Sequence, residues 1–411
     1  MTLVLPFKAV RPHRQFVSQV ASLPYDVMSR AEAVVAARGN PRSFLHVEKS
    51  EIDVPDQIGS NDILIYETAK RNFVRMLEEG IFFQDESPCF YIYRQRMGTQ
   101  IQTGIAGLIS AREYDEGKIK KHELTRQDKE DDRINHVNTV NAQTGPVFIT
   151  YLARPLLNAF VDRVTAGDPE YDFTSDDGVI HTVWIVSDIR LIEEIKNEFS
   201  AIDTLYIADG HHRAAAASAV ARMRRGTDNS PPMKEYEKIL AVIFPHNQLK
   251  VMDYNRAVKD LNGLMPHEFM EKISSRFTIN KNFTAKSPQR FHDFGMYLQG
   301  QWYHLTVKKG VYDDDDPVAR LDAAILQEHL LAPVLGINDP RTDDRIKFIG
   351  GIRGMAELEK LVDKDGFAVA FSLYPTTIEQ VMQVADAGAI MPPKSTWFEP
   401  KLRSGIFVHQ L

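Results

Sequence analysis

Tyr206-Ile207-Ala208-Asp209-Gly210-His211-His212-Arg213 carries the densest chemistry in this chain. A β-prone run ends in an acid and a glycine. Two imidazoles and a guanidinium follow, and alanines Ala214 to Ala217 open a helix. A strand, a tight turn and a helix N-terminus with cationic donors form a construction suited to phosphate. Gly210 lets a ligand oxygen approach the backbone. Arg213 can grip phosphate bidentately, and His211 and His212 can donate hydrogen bonds. Asp209 would not face phosphate itself; it could hold Mg²⁺, orient a histidine or the arginine, or act as a base. The alternative is a capped strand–helix junction with exposed histidines. Zinc fits poorly, because adjacent histidines seldom serve one metal.

A second constellation is Lys120-Lys121-His122-Glu123-Leu124-Thr125-Arg126-Gln127-Asp128-Lys129-Glu130-Asp131-Asp132-Arg133-Ile134-Asn135-His136. As one helix it would align His122, Arg126, Lys129, Arg133 and His136 in a cationic stripe. Glu123 and Glu130 would lie beside it. No apolar residue stands between Leu124 and Ile134, so such a helix has almost no core-facing stripe. It is either a solvated helix laced with ion pairs or a wall of a polar cleft. In the cleft it would offer cations to phosphate and carboxylates to Mg²⁺ or to proton removal.

Two further stretches are chemically irregular. Phe348 to Gly354 is a glycine-rich turn without the Lys-Ser/Thr ending of a nucleotide P-loop. Met391 to Gly405 mixes prolines, aromatics, Lys394, Lys401 and Arg403. It would either pack as a strap or lend cations to the site.

These residues need a scaffold, and composition bounds it. A chain of 411 residues that is 43% hydrophobic can build more than one core. Net charge is −7, which argues against a nucleic-acid partner, since such affinity comes from neutralised phosphates. The single cysteine, Cys89, excludes an intrachain disulfide and fits a reducing compartment. With no secretory signal and no apolar run of membrane length, a cytoplasmic protein without a membrane partner is expected. The sequence leaves the oligomeric state open, a homo-oligomer included.

Pattern and punctuation predict the elements. Leu3 to Val10 reads as a strand and Ser22 to Val27 as a proline-bearing turn. Ser29 caps a helix to Arg38, and a longer amphipathic helix spans Asn61 to Glu79. Phe90 to Arg94 and Ile101 to Ile109 read as a hairpin. Val147 to Leu152, Thr182 to Val186, Thr204 to Ala208 and Ile239 to Phe244 read as strands, and Gly226 to Lys234 as a surface loop. Ala368 to Leu373 reads as a strand, followed by a helix from Pro375-Thr376-Thr377 to Gly388. Asp313 to Asp316 reads as a solvated acidic loop. Alternating helices and strands predict a mixed α/β (α+β) chain. A soft boundary near 246–252 divides it into domains 1–248 and 249–411.

Asp209-Gly210-His211-His212-Arg213 resembles the phosphate turn of the ParB/sulfiredoxin superfamily. The form with two histidines is similar to that of its free L-serine kinases. The wider chain resembles, almost end to end, a bacterial family of unknown function labelled ParB-like. That likeness is carried by Ser43 to Val47, Ile119 to Arg133, Tyr254-Asn255-Arg256 and Pro392 to Arg403. Sulfiredoxins place a cysteine where His211 stands, and partitioning ParB proteins have Glu-Arg-Arg after the glycine. The resemblance therefore implies a ParB/sulfiredoxin-like core with large insertions and a C-terminal α/β domain. It implies an Mg²⁺-dependent kinase using ATP or ADP on a small hydroxyl substrate, free L-serine first. Gly210, His211, His212 and Arg213 would cradle phosphates, Arg126 and Lys129 would neutralise the transferring group, and Glu123 would be the base. Asp209 and Glu123 would be metal ligands, and Asp209 and His211 would join Glu123 in catalysis. A nucleotide-binding switch of ParB type and a nucleotide phosphohydrolase are the alternatives.

Overall fold

The computed structural model describes residues 2–226 and 233–411. The Gly226 to Lys234 loop expectation falls largely on 227–232, outside the described residues. The chain forms two compact units. The first comprises Met1–Lys121, Thr125–Leu249 and Pro400–Leu411; the second comprises His122–Leu124 and Lys250–Glu399. The last twelve residues thus belong with the first unit, although the sequence continues a second domain to 411.

The first unit is built on one nine-stranded mixed sheet. Its elements include β1 (Val4–Leu5), α1 (Ile63–Glu78), β2 (Phe90–Met97), β3 (Gln100–Ser110) and β4 (Ile119–Lys120). They continue with α2 (Gln127–Val140), β5 (Val147–Tyr151), β6 (Tyr171–Thr174) and β7 (Ile180–Val186). The last are β8 (Leu205–Asp209), α3 (His211–Arg225) and β9 (Lys238–Pro245). The order across the sheet is β4-β8-β5-β9-β3-β2-β7-β6, with β1 paired beside β3. β8 runs parallel to β4 and antiparallel to β5, while β5 runs parallel to β9. The expected hairpin forms between β2 and β3, with Gly98 in the left-handed region at its turn. Ile149, Ile207, Ala241 and Ile243 are buried in the sheet's core together with Leu157, Phe160, Ile195 and Phe199 from flanking helices.

Two expectations need correction here. The strand predicted over Leu3 to Val10 is two short ones, Val4–Leu5 and Val10–Pro12, which pair in different sheets. The helix supposed over Lys120 to His136 starts only at Gln127. Ile119 and Lys120 instead pair in parallel with Leu205 and Tyr206. His122 therefore precedes the helix, and the five-cation stripe does not form. The shorter helix does bury a face, made of Arg133, His136, Val137 and Val140.

The second unit holds a six-stranded sheet. Its strands are β10 (Tyr254–Val258), β11 (Phe277–Lys281), β12 (Asp293–Leu298), β13 (Gln301–Val307), β14 (Ile346–Gly350) and β15 (Val369–Leu373). All its pairings are antiparallel, in the order β11-β13-β12-β15-β10-β14. Thr377 caps the helix Ile378–Asp386 through a capping box, where the sequence places a helix start.

Inside this unit Asp322 is 6% exposed, and its Oδ2 has no hydrogen-bond partner. Burial pushes its carboxyl up to about 8; the charge of Asp293 adds to this and the His292 amide opposes it. A raised folded value means that the folded state holds the proton more tightly than the unfolded chain. The Asp322 contribution is therefore fully present below about pH 4 and is lost as pH rises towards 8. Asp322→Asn should flatten the fall in Tm between pH 5 and pH 8. An unchanged slope would show that Asp322 does not titrate in this range.

Candidate phosphate site at the end of strand β8

The turn lies where β8 meets α3. The register slips between Ile207 and Asp209, which oppose Ile149 and Phe148. One extra residue in β8 re-aims Asp209 at the strand's end, as bulges commonly do. Gly210 follows with φ +89 and serves as N-cap of α3. A side chain there would be strained by the backbone angle rather than by crowding, since the nearest atom to an added Cβ is Val147 Cα at 3.6 Å. Helix α3 buries Ala214 to Ala217 and Ala219 to Ala221. Small side chains let its axis lie close to its neighbours, so the position of its N-terminus is tightly set.

Asp209 is fully engaged. Its Oδ1 accepts the Gly210 amide at 2.7 Å, and its Oδ2 accepts Lys401 Nζ at 2.7 Å. Burial pushes this carboxyl up, but Lys401, Arg213 and the Gly210 amide outweigh burial and hold it well below the usual carboxylate range.

Arg213 points inward from the first turn of α3. Its Nη1 donates to the Pro146 carbonyl at 3.1 Å. Its Nη2 lies 3.8 Å from both Glu48 and Asp26, beyond hydrogen-bond reach, and has no hydrogen-bond partner. Tyr25 receives two guanidiniums, Arg133 at 4.0 Å and Arg213 at 5.4 Å from its ring centre.

Glu48 is the buried counter-charge, at 2% exposure. Thr144 and Ser404 donate hydroxyl hydrogen bonds to its two oxygens. Burial pushes its carboxyl up; Arg213, then His136 and Arg133, reverse this, and the group ends below its ordinary value. Glu48, Arg133, His136, Thr144, Gly145 and Arg213 surround a cavity of about 20 Å³, room for roughly one water. Gly145 is required there, because a Cβ would come within 2.8 Å of Ser404 Oγ and 3.0 Å of Glu48 Oε1.

His211 is buried and His212 half-buried on α3. The Arg126 amide donates to His212 Nε2 at 3.1 Å, which places the neutral ring's proton on Nδ1. The Arg126 side chain turns away to Asp128, and Lys129 is exposed on α2. Glu123 lies in His122–Leu124, the three residues that cluster with the second unit, where the His122 carbonyl accepts the Met391 amide.

Sequence reasoning overlooked Glu48, Thr144, Ser404 and the specific role of Lys401. Glu48 directly follows the Ser43 to Val47 motif and ends the short helix Leu45–Glu48. The proline-bearing turn over Ser22 to Val27 supplies Tyr25 and Asp26. Within Met391 to Gly405, the segment from Pro400 is the part that groups with the first unit. It straps onto the first unit and brings a cation to Asp209.

Residues 4–324 match the model of a family described as "Protein of unknown function (DUF1015)". The chain belongs to this family. The match includes the Asp209–Arg213 turn and ends before Pro392 to Arg403, so it is shorter than the near end-to-end likeness expected. No curated protein matches the chain. Among solved structures it is similar to a free serine kinase mutant in complex with AMP, at 15% identity and TM-score 0.39, over 71% of this chain and 86% of that one. It is similar to a conserved hypothetical protein from Pyrococcus furiosus, at 15% identity and TM-score 0.38, over 74% and 95%. A third is SbnI with C-terminal truncation from Staphylococcus aureus, at 11% identity and TM-score 0.39, over 72% and 82%. Among the described residues no helix is long and apolar enough to cross a membrane.

Arg213→Met should lower the Tm, because it leaves Glu48 as a buried carboxylate short of its first counter-charge. Such losses are about 3 kcal/mol. Adding Glu48→Gln to the same chain should recover most of the loss. Equal Tm values in the single and double variants would mean that the two charges are not coupled.

Proposed function

We propose that the protein is a phosphotransferase that uses a nucleotide, ATP or ADP, to phosphorylate a small hydroxyl substrate. The observation that supports this most is the β8–α3 turn. A left-handed glycine, a helix N-terminus and an inward Arg213 with an unused donor converge at one strand end. Helix N-termini supply amides and partial positive charge to phosphate oxygens.

Gly210, His211, His212 and Arg213 would bind the nucleotide phosphates, with Arg126 and Lys129 offering further charge. Glu123 would take the hydroxyl proton as the acceptor oxygen bonds to phosphorus and the bond to the departing nucleotide breaks. Phosphoryl transfer depends mainly on positioning and charge neutralisation. The resemblance of the Asp209–Arg213 motif to the free L-serine kinases of the ParB/sulfiredoxin superfamily selects L-serine as the first acceptor to try.

Mg²⁺ would enter this reading with the nucleotide and would supply charge neutralisation at the transferred phosphate. Asp209 does not fit as a resident ligand, because a lysine ammonium already stands 2.7 Å from its Oδ2. The proposed transfer therefore needs no metal held at Asp209.

Phosphorus NMR of the protein with ATP or ADP, Mg²⁺ and L-serine tests the proposal. A new phosphomonoester signal is expected. Free phosphate alone would instead indicate a hydrolase, and no change would leave a nucleotide-binding switch. In the same assay Glu123→Gln should lower turnover by about 10²–10⁴-fold while ADP binding persists. Normal turnover in that variant would remove Glu123 from the mechanism.

A further inference from the structure

We infer that Lys401 is a phosphate-contacting cation of this site, delivered to the turn by the C-terminal strap. The inference rests on the phosphate-binding reading of the turn above.

The strap is also docked by contacts that do not involve the Lys401 side chain. Gln95 Nε2 donates to the Lys401 carbonyl at 2.7 Å, and Gln102 Nε2 donates to the Pro400 carbonyl at 3.2 Å. Both glutamines are fully buried on the β2–β3 hairpin and bonded to each other. Beyond Lys401, Arg403 is clamped by Asp177, Ser175 and His181. Ser404 exchanges backbone hydrogen bonds with Ser22, and Val408 does so with Val10. Lys401 is therefore fixed from both sides by contacts that any residue at 401 would keep.

Its side chain nevertheless runs inward, 10% exposed, to Asp209. The Asp209 side chain is 33% exposed, so the pair is only partly buried and stands open to solvent on the acid's side. A pair kept in that position is better explained by the adjacent turn, since Asp209 directly precedes Gly210. An ammonium has three donors, so it can bridge a carboxylate and a phosphate at once. Asp209 then acts as a positioning residue that holds the cation at the mouth of the helix N-terminus. Charge-assisted contacts of this kind favour the bound anion strongly.

Calorimetric titration with Mg·ADP, and separately with inorganic pyrophosphate, tests this in the full chain. Lys401→Met should weaken both ligands by about 10–100-fold, and Lys401→Arg should recover most of the loss. Arg213→Gln serves as the reference for the turn. If Arg213→Gln weakens binding and Lys401→Met binds as tightly as wild type, the turn keeps its role and the Lys401 inference fails. If wild type binds neither probe, both the phosphate reading and the Lys401 inference fail. Should Lys401→Met not fold, the neutral pair Asp209→Asn/Lys401→Gln removes the uncompensated buried charge and carries the same comparison. Wild-type affinity in that pair would overturn the inference.

Discussion

A buried guanidinium must be answered by carboxylates, and Arg213 sets that requirement for the whole first unit. Its position is dictated by Gly210, which turns the chain into α3 one residue after the sheet ends. Everything nearby is then arranged around charge. Glu48 comes from an N-terminal helix, Asp26 and Tyr25 from a loop, Arg133 and His136 from α2, Ser404 from the C-terminal strap. Hydroxyl donors from Thr144 and Ser404 satisfy Glu48's oxygens, because the arginine is too distant to hydrogen-bond with them. A network of this kind tolerates few changes, since each member removed leaves another polar group buried without its partner.

This requirement also explains why α2 can be a helix with so few apolar residues. Its buried face is half polar, with Arg133 and His136 beside two valines, and Arg133 is kept there by Asp132, Tyr25 and the field of Glu48. Asp132 is in turn held by the Tyr66 hydroxyl from α1. Charge complementarity takes the place of an apolar stripe along that face. The solvated helix read from the sequence describes its N-terminal half, while its C-terminal half turns Arg133, His136, Val137 and Val140 inward.

The parts legible in the sequence are those with local causes. Gly210 before an alanine run marks the turn, Gly98 marks the hairpin, and Ser29 and Thr377 mark helix starts through side chains three residues apart. Long-range causes left no such trace. Lys401 meets Asp209 across 192 positions and Ser404 meets Glu48 across 356. Nothing within a window of neighbours announces such pairs. The start of α2 was misplaced for the same reason. Lys120 has a helix-compatible neighbourhood, yet a parallel pairing with Tyr206 draws it into the sheet. The bulge at Ala208 likewise depends on how β8 meets β5, and the alternation of its own residues does not reveal it.

The return of Pro400–Leu411 to the first unit has a consequence for how the chain is made. These residues follow the whole of Lys250–Glu399 in sequence, yet they supply Ser404 to Glu48, Lys401 to Asp209 and a strand-like pairing to Val10. On a ribosome the sheet of the first unit is synthesised early, but its charged interior waits for the final segment to emerge. Until then Glu48 lacks the Ser404 hydroxyl and Asp209 lacks the Lys401 ammonium. The first unit is therefore a domain whose maturation is timed by the synthesis of the second.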